Sequence, residues 1–182
     1  MAVSHNGEGI TATVEGMAKL KSSLEGLPDK LRKKVLMSAL RKGAAVVRSA
    51  ARQAAPVLQQ AMPYRTKGLL KKRIMVRVSK VSKAAGHVGV FVNIKPLPKA
   101  DRGTYNKNDP YYWRFVEFPT KAHKIAARRG KFLSFNGNFV KFVQHPGTKG
   151  SNFLESGAAA LPQALEIFER EIVPAIERFD KP

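Results

Sequence analysis

Between Pro28 and Ala54 the apolar residues Leu36, Leu40, Gly43, Val47, Ala50 and Ala54 advance by four, three, four, three and four positions. That spacing places them on one face of an α-helix, and Pro28 suits the turn that opens it. Lys30, Lys34, Arg41, Arg48 and Arg52 fall on the opposite side. The helix is therefore expected to bury a stripe and to present a basic ridge. A charged stripe opposite an apolar one is ordinary for a surface helix; a stripe of one sign is the unusual part.

The single sign extends well beyond this helix. The 182 residues include 33 Lys and Arg against 13 Asp and Glu, a formal charge of +20. Residues 1–29 carry −2, residues 30–149 carry +25 and residues 150–182 carry −3, so a basic body ends in an acidic segment. Such a body attracts polyanions, DNA above all, with an attraction that weakens steeply with salt. An acidic protein partner would satisfy the same surface. No base-reading module is present, so sequence-specific recognition is not expected.

With 43% hydrophobic residues and ten Phe the chain can bury a core, and its length fits one domain over residues 1–182. Without cysteine it forms no disulfide, thiolate zinc site or cysteine nucleophile. No apolar run approaches the roughly 18 residues that span a bilayer. Met1 to Ile10 shows no basic stretch followed by an apolar one, so no secretory signal and no membrane association are expected. The first nine residues are expected to be mobile.

Around the long helix the pattern alternates between helical and strand periods. Ile10 to Val14 reads as a short strand, and Met17, Leu20 and Leu24 suit a small helix ending at Gly26. Pro56 and Pro63 interrupt the helical signal, and Thr66 to Lys72 reads as a turn or short helical piece. Ile74, Val76 and Val78, then Val88, Val90, Val92 and Ile94, read as neighbouring antiparallel strands. Residues 95–110 lack any period and are expected to form a long exposed loop. Asn136-Gly137 between apolar runs suits a two-residue hairpin turn in which Leu133 faces Val140 and Lys131 faces Phe142. Phe132, Phe139 and Lys141 occupy the hairpin's other face. From Leu154 to Phe179 apolar residues keep near-heptad spacing, with Pro162 and Pro174 expected to start, kink or divide the helix.

Catalytic constellations are hard to find. His5, His87, His123 and His145 lack a second ligand at metal-binding spacing. Asp101, Asp109 and Glu117 are the acidic residues of the basic body, and a magnesium-dependent nuclease would have to be built from them. No nucleophile elbow occurs, and Gly147-Thr148-Lys149-Gly150 lacks the form of a phosphate-binding loop. An interaction surface is better supported. Tyr111, Tyr112, Trp113, Phe115 and Phe118 concentrate aromatic residues of the kind that dominate interface energetics. On a helix, Tyr111, Phe115 and Phe118 would share a face while Tyr112 and Arg114 turned outward; on a strand, residues 111, 113 and 115 would face away from 112, 114 and 116. Glu117 among so many cations is expected to accept an ion pair or a cap.

The order of these segments resembles the tail-completion, or head-to-tail joining (neck), proteins of long-tailed double-stranded DNA bacteriophages. Ala55-Pro56 closes the amphipathic helix, and Thr66-Lys67-Gly68-Leu69-Leu70 is similar to the family's Thr-Gly-x-Leu turn. Tyr112 to Thr120 resembles its Tyr-x-x-x-Val-Glu-Phe-Gly-Thr segment, with Pro119 in place of the Gly. His145-Pro146-Gly147-Thr148 and Phe153-Leu154 resemble its His-Pro-Gly-Thr and Pro-Phe-Leu run, with Asn152 in place of the Pro.

The resemblance implies an α+β fold, a small antiparallel sheet packed with a long N-terminal and a long C-terminal helix. It implies a structural virion protein without cofactor or catalytic residue. That protein would form a homo-oligomeric ring of six or twelve copies at the head-tail junction, beside other neck, connector and tail proteins and around passing genomic DNA. Tyr112, Trp113, Phe115, Glu117 and Phe118 are the interface candidates, with His145, Pro146 and Gly147 shaping the adjoining loop. Lys34, Arg41, Arg48, Arg52, Arg128 and Arg129 are the candidates for contact with DNA. A free, non-specific nucleic-acid-binding protein is the alternative, and a metal-dependent nuclease the third reading.

Overall fold

The computed structural model describes residues 2–6, 9–13, 24–60, 62–128, 130–135 and 137–180. In chain order these form β1 (Ala2–Asn6), β2 (Gly9–Thr13), α1 (Asp29–Ala54), α2 (Leu69–Arg73), β3 (Ile74–Val78), α3 (Lys80–Ala84) and β4 (Val90–Ile94). After a single 3-10 turn come α4 (Trp113–Glu117), β5 (His123–Ala126), β6 (Leu133–Phe135), β7 (Asn138–Val140), β8 (Phe142–His145), α5 (Phe153–Ala158) and α6 (Leu161–Asp180). The chain divides into two compact units, Met1–Tyr111 with Phe153–Pro182, and Tyr112–Asn152. The architecture is α+β, as the resemblance implies.

The larger unit is organised by α1. Asp29 in its first turn pairs with Arg32 at 2.6 Å and Lys33 at 2.7 Å, placing a carboxylate where the helix dipole favours it. Hydrogen bonds from Lys33 and then Arg32 hold the Asp29 carboxyl below its ordinary pKa. Pro56 ends the helix by driving Ala55 into extended backbone. The most buried positions are Val35, Ala39, Gly43, Val47 and Ala51, spaced by four throughout. This differs from the expected stripe: Leu36 and Leu40 lie at its flank and Ala54 is exposed. The reason is close approach. A Cβ on Gly43 would lie 2.6 Å from the Ala164 carbonyl oxygen, and one on Gly157 would lie 2.8 Å from Ala51 Cβ. Small residues occupy the line where α1 meets α5 and α6, and the larger leucines wrap its side.

Pro162 stands in the first turn of α6, after the break at residues 159–160, so the C-terminal apolar run is divided as expected. Val35, Ala39, Phe168, Ile172 and Ala175 form a core cluster that also takes in Leu24. The expected helix through Met17 and Leu20 lies outside the described residues. Lys42 on α1 pairs with Glu171 on α6, and that hydrogen bond holds the Glu171 carboxyl below its ordinary range.

The sheet is antiparallel with strand order β1-β2-β4-β3. Ile74 faces Ile94, Val76 faces Val92 and Val78 faces Val90, as the alternating pattern predicts. Ala2–Asn6 is a strand paired along β2, where the sequence reading places a mobile terminus. Arg52 reaches from α1 to the edge strand β3, where Nε and Nη2 donate to the Ile74 carbonyl at 3.2 and 3.0 Å.

Residues 95–110 form an exposed loop with its own hydrogen bonds. The buried Asp109 carboxylate accepts from Gly103 N at 2.9 Å, and Asn106 donates to Asp101 O at 2.7 Å. Thr66 anchors the loop by donating to Lys107 O from both its backbone and its hydroxyl. No described helix is long and apolar enough to cross a membrane.

Candidate functional site

The smaller unit begins with the aromatic segment. Trp113–Glu117 is a single helical turn and a half, closed by Phe118 N donating to Arg114 O at 2.9 Å. Phe118 is extended, at φ −99° and ψ 149°, the conformation that a following proline requires, so Pro119 fits where it stands. The segment is helical, and of the two residues that a helix was expected to turn outward, Arg114 is exposed and Tyr112 is not. Tyr112 is buried, Tyr111 and Phe115 are exposed, and Trp113 and Phe118 are half-buried. Arg114 lies over the Trp113 ring, 5.3 Å from its centroid. Glu117 is 1% exposed, a buried carboxylate in a unit whose other side chains mostly face water.

The second half of the motif returns directly onto the first. Ser151 donates to Val116 O through its backbone at 2.7 Å and its hydroxyl at 2.9 Å, and Asn152 N donates to Glu117 O at 3.1 Å. Thr120 and Thr148 exchange backbone hydrogen bonds of 2.9 and 3.1 Å, with their hydroxyls 2.9 Å apart. This clasp explains the glycines. Gly147 has φ +88° and lies against the Thr120 carbonyl, while Gly150 lies against the carbonyl of Glu117. Neither position has room for a Cβ. Gly147 N donates to His145 Nδ1 at 3.1 Å, shaping the His-Pro-Gly-Thr turn. Asn152 has φ +47°, a left-handed conformation open to asparagine and closed to proline. The departure at that position therefore has a conformational meaning.

Beyond the clasp the chain runs out as an arm of two antiparallel pairs. β5 pairs with β8, His123 facing His145 with the two rings stacked 5.1 Å apart. β6 pairs with β7, and Leu133 faces Val140 in the expected register. Asn136 lies outside the described residues; Gly137 takes the positive φ that a tight turn asks of it. The expected pairing of Lys131 with Phe142 does not form. The chain bends at Lys141, and Phe142 instead faces Ala126 of β5, with Lys124 Nζ 4.0 Å from its ring centroid.

Of the interface candidates, Tyr112, Trp113, Glu117 and Phe118 are wholly or half withdrawn from solvent, and Phe115 is 62% exposed. His145 and Gly147 are half-buried in the turn and Pro146 is exposed. The clasp brings the two halves of the motif together. Sequence reasoning missed Phe142 as a surface group, and Phe132 and Phe139 are also exposed. Their signal was present, since phenylalanines on both faces of one hairpin exceed what one core can cover.

The cation candidates divide. Lys34, Arg41 and Arg128 are exposed, while Arg48 and Arg52 are half-buried. Arg52 serves β3, and its pKa is lowered by burial and then by the Arg48 charge. Arg48 Nε is buried without a hydrogen-bond partner. Arg129 lies outside the described residues. Among the described residues no group of three or more His, Asp or Glu side chains is placed to hold a metal ion.

A family profile described as "Bacteriophage HK97-gp10, putative tail-component" matches residues 18–118. That span runs through α1, the β3–β4 pair and the aromatic segment, and it stops before the arm. No curated protein and no solved structure gives a significant match.

Proposed function

Because this chain belongs to the HK97 gp10-like family of bacteriophage tail components, whose profile covers more than half of it, we propose that it completes the tail at the head-tail junction. In this reading it is a structural protein of the virion, made in the host cytoplasm. Copies of it form a ring between connector and tail proteins, and genomic DNA passes through that ring. The carrying observation is the family match over residues 18–118. The exposed Phe115 beside the clasped motif supports it as a group available for assembly contacts. A body of +20 suits many weak, non-specific contacts with DNA, through exposed cations such as Lys34, Arg41 and Arg128.

Electron microscopy of purified particles, with the chain identified by mass spectrometry, tests the reading. A ring at the junction is expected; a monomer absent from particles would sink it. Trp113→Ala should impair joining of heads to tails while the soluble subunit stays folded by circular dichroism, and loss of folded protein would return Trp113 to the core.

The basic surface also keeps the free nucleic-acid-binding reading in view. Reversing Lys34, Arg41 and Arg128, all three exposed, discriminates. Lost DNA binding with normal particle assembly would favour the free protein.

A further inference from the structure

We propose that the β5–β8 arm of one subunit docks on the outward side of α6 of a second copy, Phe139 entering the apolar groove beside that helix. The proposal rests on the ring reading above and names the contact that would hold the ring.

The arm has what an unsatisfied interface element has. Two-stranded pairs are marginal in water unless a helix or a further strand covers them, and Phe132, Phe139 and Phe142 are 51%, 73% and 48% exposed. From residue 118 to residue 152 the chain has no acidic residue, and Lys121, Lys124, Arg128, Lys131 and Lys141 are all exposed. Its partner should combine an apolar recess with negative charge.

A body of +20 repels its own copies wherever two basic surfaces meet. Self-association therefore favours a contact that includes an acidic patch, and α6 carries one. Glu166, Glu169 and Glu177 are exposed on its outward side around Val173, which is 54% exposed, and they outnumber the exposed Arg170 and Arg178 of the same helix. Beside α6 is an open groove of about 80 Å³ between α6, α1 and β4, bordered by Leu40, Ala44, Val90 and Leu165 and by Phe91, over whose ring the Arg77 guanidinium lies. An aromatic anchor in a recess rimmed by complementary charge is the usual form of an interface hot spot. Because arm and groove are different surfaces, the contact is head-to-tail, and such contacts close into rings when the rotation allows.

Sedimentation velocity and native mass spectrometry of the full chain test this across a concentration series. Lys131→Glu with Lys141→Glu, and separately Glu166→Lys with Glu169→Lys, should each raise the midpoint concentration for assembly at least about tenfold. Combining all four reversals should recover most of the loss, which mere damage to the fold would not. Phe139→Ser should weaken assembly with an unchanged circular dichroism spectrum, and Phe139→Leu should retain most of it.

Wild-type protein that assembles while both reversals and Phe139→Ser assemble equally well would overturn the arm contact and leave the ring reading standing. Variants that assemble normally but no longer retain duplex DNA would overturn it too, by assigning the arm to nucleic acid. Wild-type chain that remains monomeric throughout and is absent from particles would defeat the ring reading itself.

Discussion

At the scale of single residues, Gly43 sets how closely the two long helices meet. An added methyl group there would lie 2.6 Å from a backbone oxygen, which cannot rotate away. Gly43→Ala should therefore destabilise the larger unit by about 1–3 kcal/mol, although alanine is the better helix former. Urea denaturation checks this, and an unchanged midpoint would show that α6 can give way. Glu171 makes a separate prediction. Its carboxyl is held down by the hydrogen bond from Lys42, so its contribution is present above the ordinary glutamate pKa and is lost as pH falls through the lower folded value. Glu171→Gln should flatten the acid side of the stability profile in that window, measured by melting temperature against pH. The pair is solvent-screened, so the effect should be small.

At the scale of elements, much was legible and the misreadings have physical causes. The existence of α1 followed from its periodicity, but its face was turned because large leucines were weighted over the small residues that close contact selects. Val35, Ala39 and Ala51 are the residues so missed. The hairpin was legible to the residue pair, Leu133 with Val140, because its turn is local. The β5–β8 pairing was not, since alternation shows which way Phe142 faces and not which distant strand it meets. Interface candidates were legible as a motif, while the burial of Tyr112 was not, because periodicity groups residues on a face and does not say which face the rest of the chain covers. The Thr120–Thr148 bridge closes the segment that contains the arm. Replacing residues 122–145 with a short Gly-Ser turn should leave the helical circular dichroism signal intact and shift the melting temperature by no more than about 4 °C, since the excised strands add little to a core. A larger shift would mean that the arm supports the scaffold.

At the scale of the whole molecule, net charge governs association before any specific contact does. Duplex DNA retention should fall as a straight line in log affinity against log salt, with a slope set by the number of phosphates neutralised, and should be indifferent to base sequence. Filter binding across a salt series measures it; a flat response would mean that the basic surface is occupied by protein. The fold class followed from the family resemblance, and two long periodic runs flanking an alternating middle agree with it.

The clasp between Thr120 and Thr148 also has an evolutionary consequence. Once the two ends of a segment are fixed beside each other, the entropy of closing whatever lies between them grows only logarithmically with length. Insertions, deletions and changes of surface chemistry in the arm are then nearly independent of the scaffold's stability. A lineage could exchange one arm for another and meet a new neighbour without rebuilding the protein that carries it. The family profile, which matches residues 18–118, ends just before the clasp that holds this segment.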